Sequence, residues 1–235
     1  MTWYYYGAKT QLGKHYPKPL YDTIIEPFAG SAGYAQRYRN DPGRKVILVE
    51  KDPLVADLWR WMQTMTAEEI LGLPTPIEGE YCDDPLLDRL VKMAAASNGV
   101  SRMTGPLKVP KRVVAVWPGM LKRMADRVDA VRDWKIIEGD YTRAPKKKAT
   151  WFIDPPYQVT TPTKMKTAFP KGQGYRHNLL DYDALRDWVR GLKGQVIVCE
   201  QEGADWLAGF ESLKMAPDSQ GKARHEVFVT WHREK

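Results

Sequence analysis

Cysteine is nearly absent from this chain of 235 residues: Cys82 and Cys199 are the only two. Two cysteines build no disulfide framework, and their surroundings offer no zinc spacing. Histidine is also scarce. His15, His177, His225 and His232 share no ligand spacing, so no metal is expected. No apolar run is long enough to span a bilayer. Met1-Thr2-Trp3-Tyr4 lacks a basic stretch followed by an apolar one, so no secretory signal is read. A soluble cytoplasmic protein with no membrane partner is the expectation. Internal repeats and low-complexity tracts are missing. Acidic residues are missing from two long stretches, Asn98 to Ala125 and Gln158 to His177.

What is present supports a packed core. Apolar residues make up 43% and charged residues 28% of the chain, a balance that argues against wholesale disorder. The net charge of +7 suits a polyanionic partner, because Lys and Arg displace condensed counterions from phosphates. Nine Trp and twelve Tyr serve either core packing or stacking on bases.

Short apolar runs bounded by Gly, Pro or charge read as strands: 23–28, 45–50, 134–138, 150–154 and 195–200. A later run, 226–231, alternates and reads as an antiparallel edge strand. Helical patterns separate them. Ser31 is placed to cap one helix, Pro53 to open another, and Asp181 to cap a third. Alternating strands and helices predict an α/β chain with a mostly parallel sheet covered on both faces. Residues 67–133 break the rhythm and read as a mainly helical insertion, leaving 1–66 and 134–235 as the main domain. Inside the insertion, Arg102, Lys108, Lys111, Arg112, Lys122 and Arg123 fall in the first acid-free stretch. A one-sign surface steers polyanions, and a solvated helical face accounts for the same composition.

Three motifs carry chemistry. Glu26-Pro27-Phe28-Ala29-Gly30-Ser31-Ala32-Gly33 runs from a strand end into a small-residue turn, which lets a ligand approach the backbone. A tight structural turn accounts for it equally well. Glu50 follows about 20 residues later at the next strand end, where a carboxylate can accept hydrogen bonds from ribose hydroxyls. No Walker-type lysine follows the glycines, which argues against a phosphate-cradling loop. Finally, Trp151-Phe152-Ile153 delivers Asp154-Pro155-Pro156-Tyr157 at a strand's carboxyl end. The prolines stiffen the turn. Asp154 can accept a hydrogen bond from an amino group, the Pro155 carbonyl can accept a second, and Tyr157 can stack on a planar base. A rigid turn with a packed tyrosine is the plainer alternative.

Asp154-Pro155-Pro156-Tyr157 is the DPPY form of the amino-methyltransferase signature. An N-terminal Tyr-Gly-x-Lys, then Phe-x-Gly, then an insert, then DPPY is an order that resembles the D12 class of adenine-specific DNA methyltransferases, the Dam-like family. The resemblance implies a Rossmann-like, S-adenosylmethionine-dependent methyltransferase fold with a mostly parallel seven-stranded sheet and a small helical target-recognition insert. It implies methylation of adenine N6 in double-stranded DNA, with the base flipped out because its amine is unreachable in a duplex. Tyr6, Gly7 and Lys9 look like the N-terminal cofactor segment, with Lys9 near the methionine carboxylate. Glu26, Phe28, Ala29, Gly30 and Ser31 look like the cofactor turn, Glu50 like the ribose acid, and Asp140 and Tyr141 like neighbours of the cofactor adenine. Asp154, Pro155, Pro156 and Tyr157 look like the catalytic set. Asn98 and Arg102 resemble a DNA-approaching stretch, and Arg224-His225-Glu226 a recurring element before a strand.

Other residues are assigned to DNA by charge: Lys108, Lys111 and Arg112 in the insert, and Lys164, Lys166, Lys171 and Arg176 in the loop after DPPY. A solvated loop is the alternative there, and Lys146-Lys147-Lys148 reads as a solvated turn. The chain departs from the family pattern at Ala32, where a glycine is expected, with Gly33 one residue later. No cysteine lies near DPPY in sequence, which disfavours C5-cytosine chemistry through a thiolate. Cytosine N4 or RNA adenine as the target, and a catalytically silent DNA-binding subunit, remain as alternatives. So do a monomer and a weak dimer, and roles in restriction–modification, phage genome protection or regulation in a bacterial or phage-infected cell.

Overall fold

The structure is a computed structural model, and it describes Thr2, Trp3, Tyr5, Lys9 and residues 12–95, 105–158, 179–210, 213–214 and 226–233. Its strands are β1 (Thr23–Glu26), β2 (Lys45–Glu50), β3 (Lys135–Glu138), β4 (Ala149–Ile153), β5 (Gly194–Gln201), β6 (Leu213–Lys214) and β7 (Glu226–Arg233). The order across the sheet is β3-β2-β1-β4-β5-β7-β6. The five strands from β3 to β5 are mutually parallel, and β7 runs antiparallel to β5. The chain is therefore mixed α/β with a mostly parallel sheet. The expected count of seven strands depends on β6, two residues paired to the outer edge of β7.

Residue burial follows the sheet's position. All of β1 and β4 is buried, as strands covered on both faces require. The edge strand β3 is only half covered. Successive side chains divide between two apolar layers, as the two-residue strand period dictates. Ile24, Leu48, Phe152 and Ile197 face one layer, whereas Ile25, Val49, Trp151 and Val198 face the other.

Helix starts have identifiable causes. Helix α1 spans Gly33–Arg37, α2 Pro53–Thr64 and α3 Ala67–Leu71. Pro53 opens α2, and Asp52 caps it by accepting from Leu54 N at 3.0 Å. Thr66 and Glu69 form a reciprocal capping box at α3. Helices α4 (Pro85–Ala95), α5 (Lys111–Ala125) and α6 (Val128–Val131) follow, then α7 (Tyr182–Arg190). Asp181 caps α7 through Ala184 N at 3.0 Å. Ser31 does not cap α1. The cap position is Ala32, in the left-handed region at φ 49° with no side-chain bond to the helix.

Between 67 and 133 the described residues form helices and no strand. Leu90 and Met93 of α4 and Trp117, Met120 and Met124 of α5 are buried in the same layer as α2 and one face of the sheet. Among the described residues, no helix is long and apolar enough to cross a membrane.

Gly194 opens β5 at φ +99°, and a Cβ there would lie 2.2 Å from the Ala149 carbonyl oxygen. That neighbour is strand backbone and cannot swing aside. Gly194→Ala is expected to destabilise the fold by about 3 kcal/mol, combining a forbidden backbone region with overpacking. Urea unfolding tests this: the midpoint should fall with an unchanged slope.

Candidate active site

The chain leaves β1 toward β2 on one side and returns through β4 on the other. The carboxyl ends of β1 and β4 thus diverge, and open parallel sheets bind their ligands in the crevice at such a switch point. A crevice of about 840 Å³, its open mouth included, lies there. Each strand end contributes: Glu26 to Ser31 after β1, Glu50 after β2, Asp140 and Tyr141 after β3, and Asp154 and Pro156 after β4.

The β1 turn is built for close approach. Gly30 has φ +46°, and a Cβ on it would fall 2.6 Å from the Tyr5 ring. At Gly33 a Cβ would sit 3.0 Å from the Lys9 backbone nitrogen. The two glycines let Tyr5 and Lys9 lie directly on the turn, which gives Gly33 a role the motif alone did not. Trp59 Nε1 donates to the Gly30 carbonyl at 2.9 Å and fixes it from below.

Lys9 and Asp154, 145 positions apart in the chain, meet here: Nζ is 2.9 Å from Oδ1, with both side chains largely buried. The same ammonium lies 4.8 Å from the centre of the Tyr157 ring, within cation–π range. Lys9 thus touches both ends of the DPPY turn.

Glu26 and Glu50 are buried carboxyls. Glu26 accepts from Ala35 N at 2.5 Å. Burial pushes its pKa up to about 8, with the backbone N–H opposing and Asp154 adding to the rise. Glu50 accepts from Gly30 N at 2.7 Å and Asp52 N at 2.8 Å, tying the β2 end to the turn. Burial pushes it to about 7 against those donors. Asp140 accepts from Thr142 N and pairs with Lys51 at 3.1 Å. The Phe28 and Tyr141 rings stack 5.5 Å apart beside it.

Acidic residues outnumber basic ones in the lining: Glu26, Glu50, Asp52, Asp140 and Asp154 against Lys9 and Lys51. The two lysines pair with Asp154 and Asp140, and burial keeps Glu26 largely protonated near neutral pH. A ligand carrying positive charge would favour the ionised form of the buried carboxyls.

Pro155 and Tyr157 adjoin the crevice without lining it. The Pro156 carbonyl accepts from Tyr182 Oη at 2.7 Å. Beyond the turn, Glu200 of β5 is wholly buried. It accepts from Gln158 N, Gln201 N and Trp206 Nε1. Burial holds it up at about 7 against those donors. Neither Tyr182 nor Glu200 stands out in the sequence, since their partners lie 26 and 42 positions away. Neither cysteine is a poised nucleophile: Cys199 is buried, and burial raises the Cys82 thiol.

Of the residues assigned to DNA, Lys108 lies 5.6 Å from the centre of the Tyr81 ring, and Lys111 is exposed at the start of α5. Arg112 donates to the carbonyl of Ala95, the last residue of α4, so it also joins two helices. Tyr6, Gly7, Asn98, Arg102, Lys164, Lys166, Lys171, Arg176, Arg224 and His225 lie outside the described residues.

No protein-family model and no curated protein matches the chain. Among solved structures, the crystal structure of a mutant of MtNAS is similar over 97% of this chain, at 9% identity and a TM-score of 0.40. The chain spans 58% of that structure's length.

Proposed function

We propose that this protein is an S-adenosylmethionine-dependent DNA methyltransferase acting on the N6 amine of adenine in double-stranded DNA, with residues 67–133 as its target-recognition insert. The observation that carries the reading is the DPPY turn at the switch point, with Asp154 against Lys9 beside an acid-rich crevice. S-adenosylmethionine fits the residues present. It has a sulfonium and an ammonium for the carboxyls, a carboxylate for Lys9, and ribose hydroxyls for Glu50. When bound, it supplies an electrophilic methyl group.

The chain's own residues do the rest. Asp154 accepts a hydrogen bond from the target amine, and the Pro155 carbonyl accepts the other. Two acceptors draw the nitrogen lone pair out of the ring and make it nucleophilic. Tyr157 stacks on the base, a contact that is worth about 1–3 kcal/mol per base where measured. Lys9 supplies the counter-charge to Asp154 and sets its orientation. The Tyr182 hydroxyl already occupies the Pro156 carbonyl, which leaves the amine-binding task to Pro155.

The test has two parts. Calorimetry should detect S-adenosylmethionine binding, and no binding would favour a catalytically silent subunit. Incubation with isotopically labelled cofactor and a random duplex pool should label DNA. After digestion to nucleosides the label should appear as N6-methyladenine. Label in N4-methylcytosine, or in RNA alone, would overturn the choice of base or of nucleic acid.

A further inference from the structure

The peptide segment carrying Tyr157 is held on both sides by side chains that do not themselves line the crevice. On the near side, Tyr182 Oη donates to the Pro156 carbonyl at 2.7 Å. Opposite it, the Gln158 amide donates to the Glu200 carboxylate, at 3.2 Å to Oε1 and 3.3 Å to Oε2. The Gln158 side chain makes a third tie, its Oε1 accepting from Asp205 N at 2.7 Å. Trp206 connects the two sides: its Nε1 donates to Glu200 Oε2 at 2.7 Å, and its ring lies 6.1 Å from that of Tyr182.

We propose that Tyr182 and Glu200 are positioning residues that clamp the backbone on either side of Tyr157 and so fix the plane in which its ring meets the target base. The inference rests on the methyltransferase reading for its kinetic consequence and on geometry for the clamp itself. A carboxylate buried at a strand end is costly to keep, and burial already raises this one to about 7. Its partners Gln158 N, Gln201 N and Trp206 Nε1 are N–H donors. An acceptor with two oxygens meets them all. An amide in its place would aim its own NH₂ at a donor. The two anchors come from separate elements, α7 and β5, so the turn is triangulated against the scaffold. The prolines restrict φ before Tyr157, and the clamp ties the peptide group on each side of it.

The variants are Tyr182→Phe, which keeps the ring and deletes one hydroxyl, and Glu200→Gln. Each should lower kcat on the order of 10-fold, with the affinity for S-adenosylmethionine within about 3-fold of wild type, since small misplacements act on chemistry more than on binding. In a Tyr157→Ala background, Tyr182→Phe should have no further effect on kcat, because its action passes through that ring. Exchange of the Gln158 amide, followed by mass spectrometry, should accelerate at least about 10-fold in Glu200→Gln. An unchanged kcat in Tyr182→Phe overturns the proposal. So does an equal fall in kcat with Tyr157 absent, a parallel loss of cofactor affinity, or undiminished protection of Gln158. A wild-type protein that transfers no methyl group would sink the proposed function, and amide exchange would still decide whether the clamp exists.

Discussion

Replacing Asp154 by Asn is expected to cut methyl transfer by about 10²- to 10⁴-fold, the range that loss of a positioned group in the transition state produces. Cofactor affinity should stay within about 3-fold. The substitution keeps one acceptor oxygen, but its NH₂ faces either the target amine or Lys9, both donors. It also leaves the Lys9 ammonium, whose side chain is 5% exposed, without its carboxylate. Breaking a buried pair from one side costs about 3–5 kcal/mol, whereas removing both partners is far milder. Asp154→Asn should therefore unfold at lower urea than wild type. The double variant Lys9→Met with Asp154→Asn should regain most of that loss and no activity. Single-turnover transfer and urea titration on the same preparations separate the two effects. A Lys9→Met, Asp154→Asn protein that methylates at the wild-type rate would remove Asp154 from the mechanism.

How much of this site a reader of the sequence can see depends on how local its causes are. The strand runs around Ile24, Leu48, Phe152 and Ile197 are legible because covered parallel strands need unbroken apolar stretches. Asp52-Pro53 and Asp181 are legible as helix starts because a cap acts over two or three residues. Ser31 misleads for the same reason. It has the right side chain at the right spacing, but the backbone there accommodates Tyr5 and Lys9, packed on Gly30 and Gly33. Ala32 takes the left-handed conformation a glycine would adopt more readily, which places local strain at the start of α1. The outer sheet edge is poorly legible because β6 has no side-chain period to display in two residues.

The site divides in the same way. Asp154 and Glu50 announce themselves because an acid closing an apolar run sits at a sheet mouth in any open α/β fold. Glu26 has the same credential, yet its partner is the Ala35 amide at the first turns of α1, so it also fixes the turn's entry into that helix. The Lys9–Asp154 contact and the Tyr182–Glu200 clamp are tertiary, and no spacing rule encodes them. What a sequence does disclose about them is chemical. A buried strand such as β5 that carries Glu200 one residue before its end must satisfy that carboxyl somewhere, and Gln158 and Trp206 supply donors.

Glu26→Gln should make the ligand-free protein more stable in alkaline solution, by an amount that grows with pH. The carboxyl is 2% exposed, and its pKa stands at about 8 against an ordinary 4.5. A raised folded-state pKa means the native protein binds this proton more tightly than the unfolded chain. The stabilisation is complete below about pH 4.5 and is lost as pH rises through about 8, at a limiting slope near 1.4 kcal/mol per unit. Glu50 and Glu200, both at about 7, push in the same direction. Wild-type melting temperature should therefore fall between pH 6 and pH 9. Gln keeps the oxygen that accepts from Ala35 N and carries no proton to lose. Its melting temperature should match wild type near pH 5 and exceed it by about 5–10 °C at pH 9, from about 2–4 kcal/mol at the conversion for a chain of this size. Parallel melting curves across that range would show that Glu26 does not titrate in the fold. A cationic ligand in the crevice acts on the same balance by favouring the ionised carboxyl. The thermal shift produced by S-adenosylmethionine should accordingly grow from pH 6 to pH 8 in the wild type and grow less in Glu26→Gln. Equal growth in both proteins would separate Glu26 from the ligand's charge.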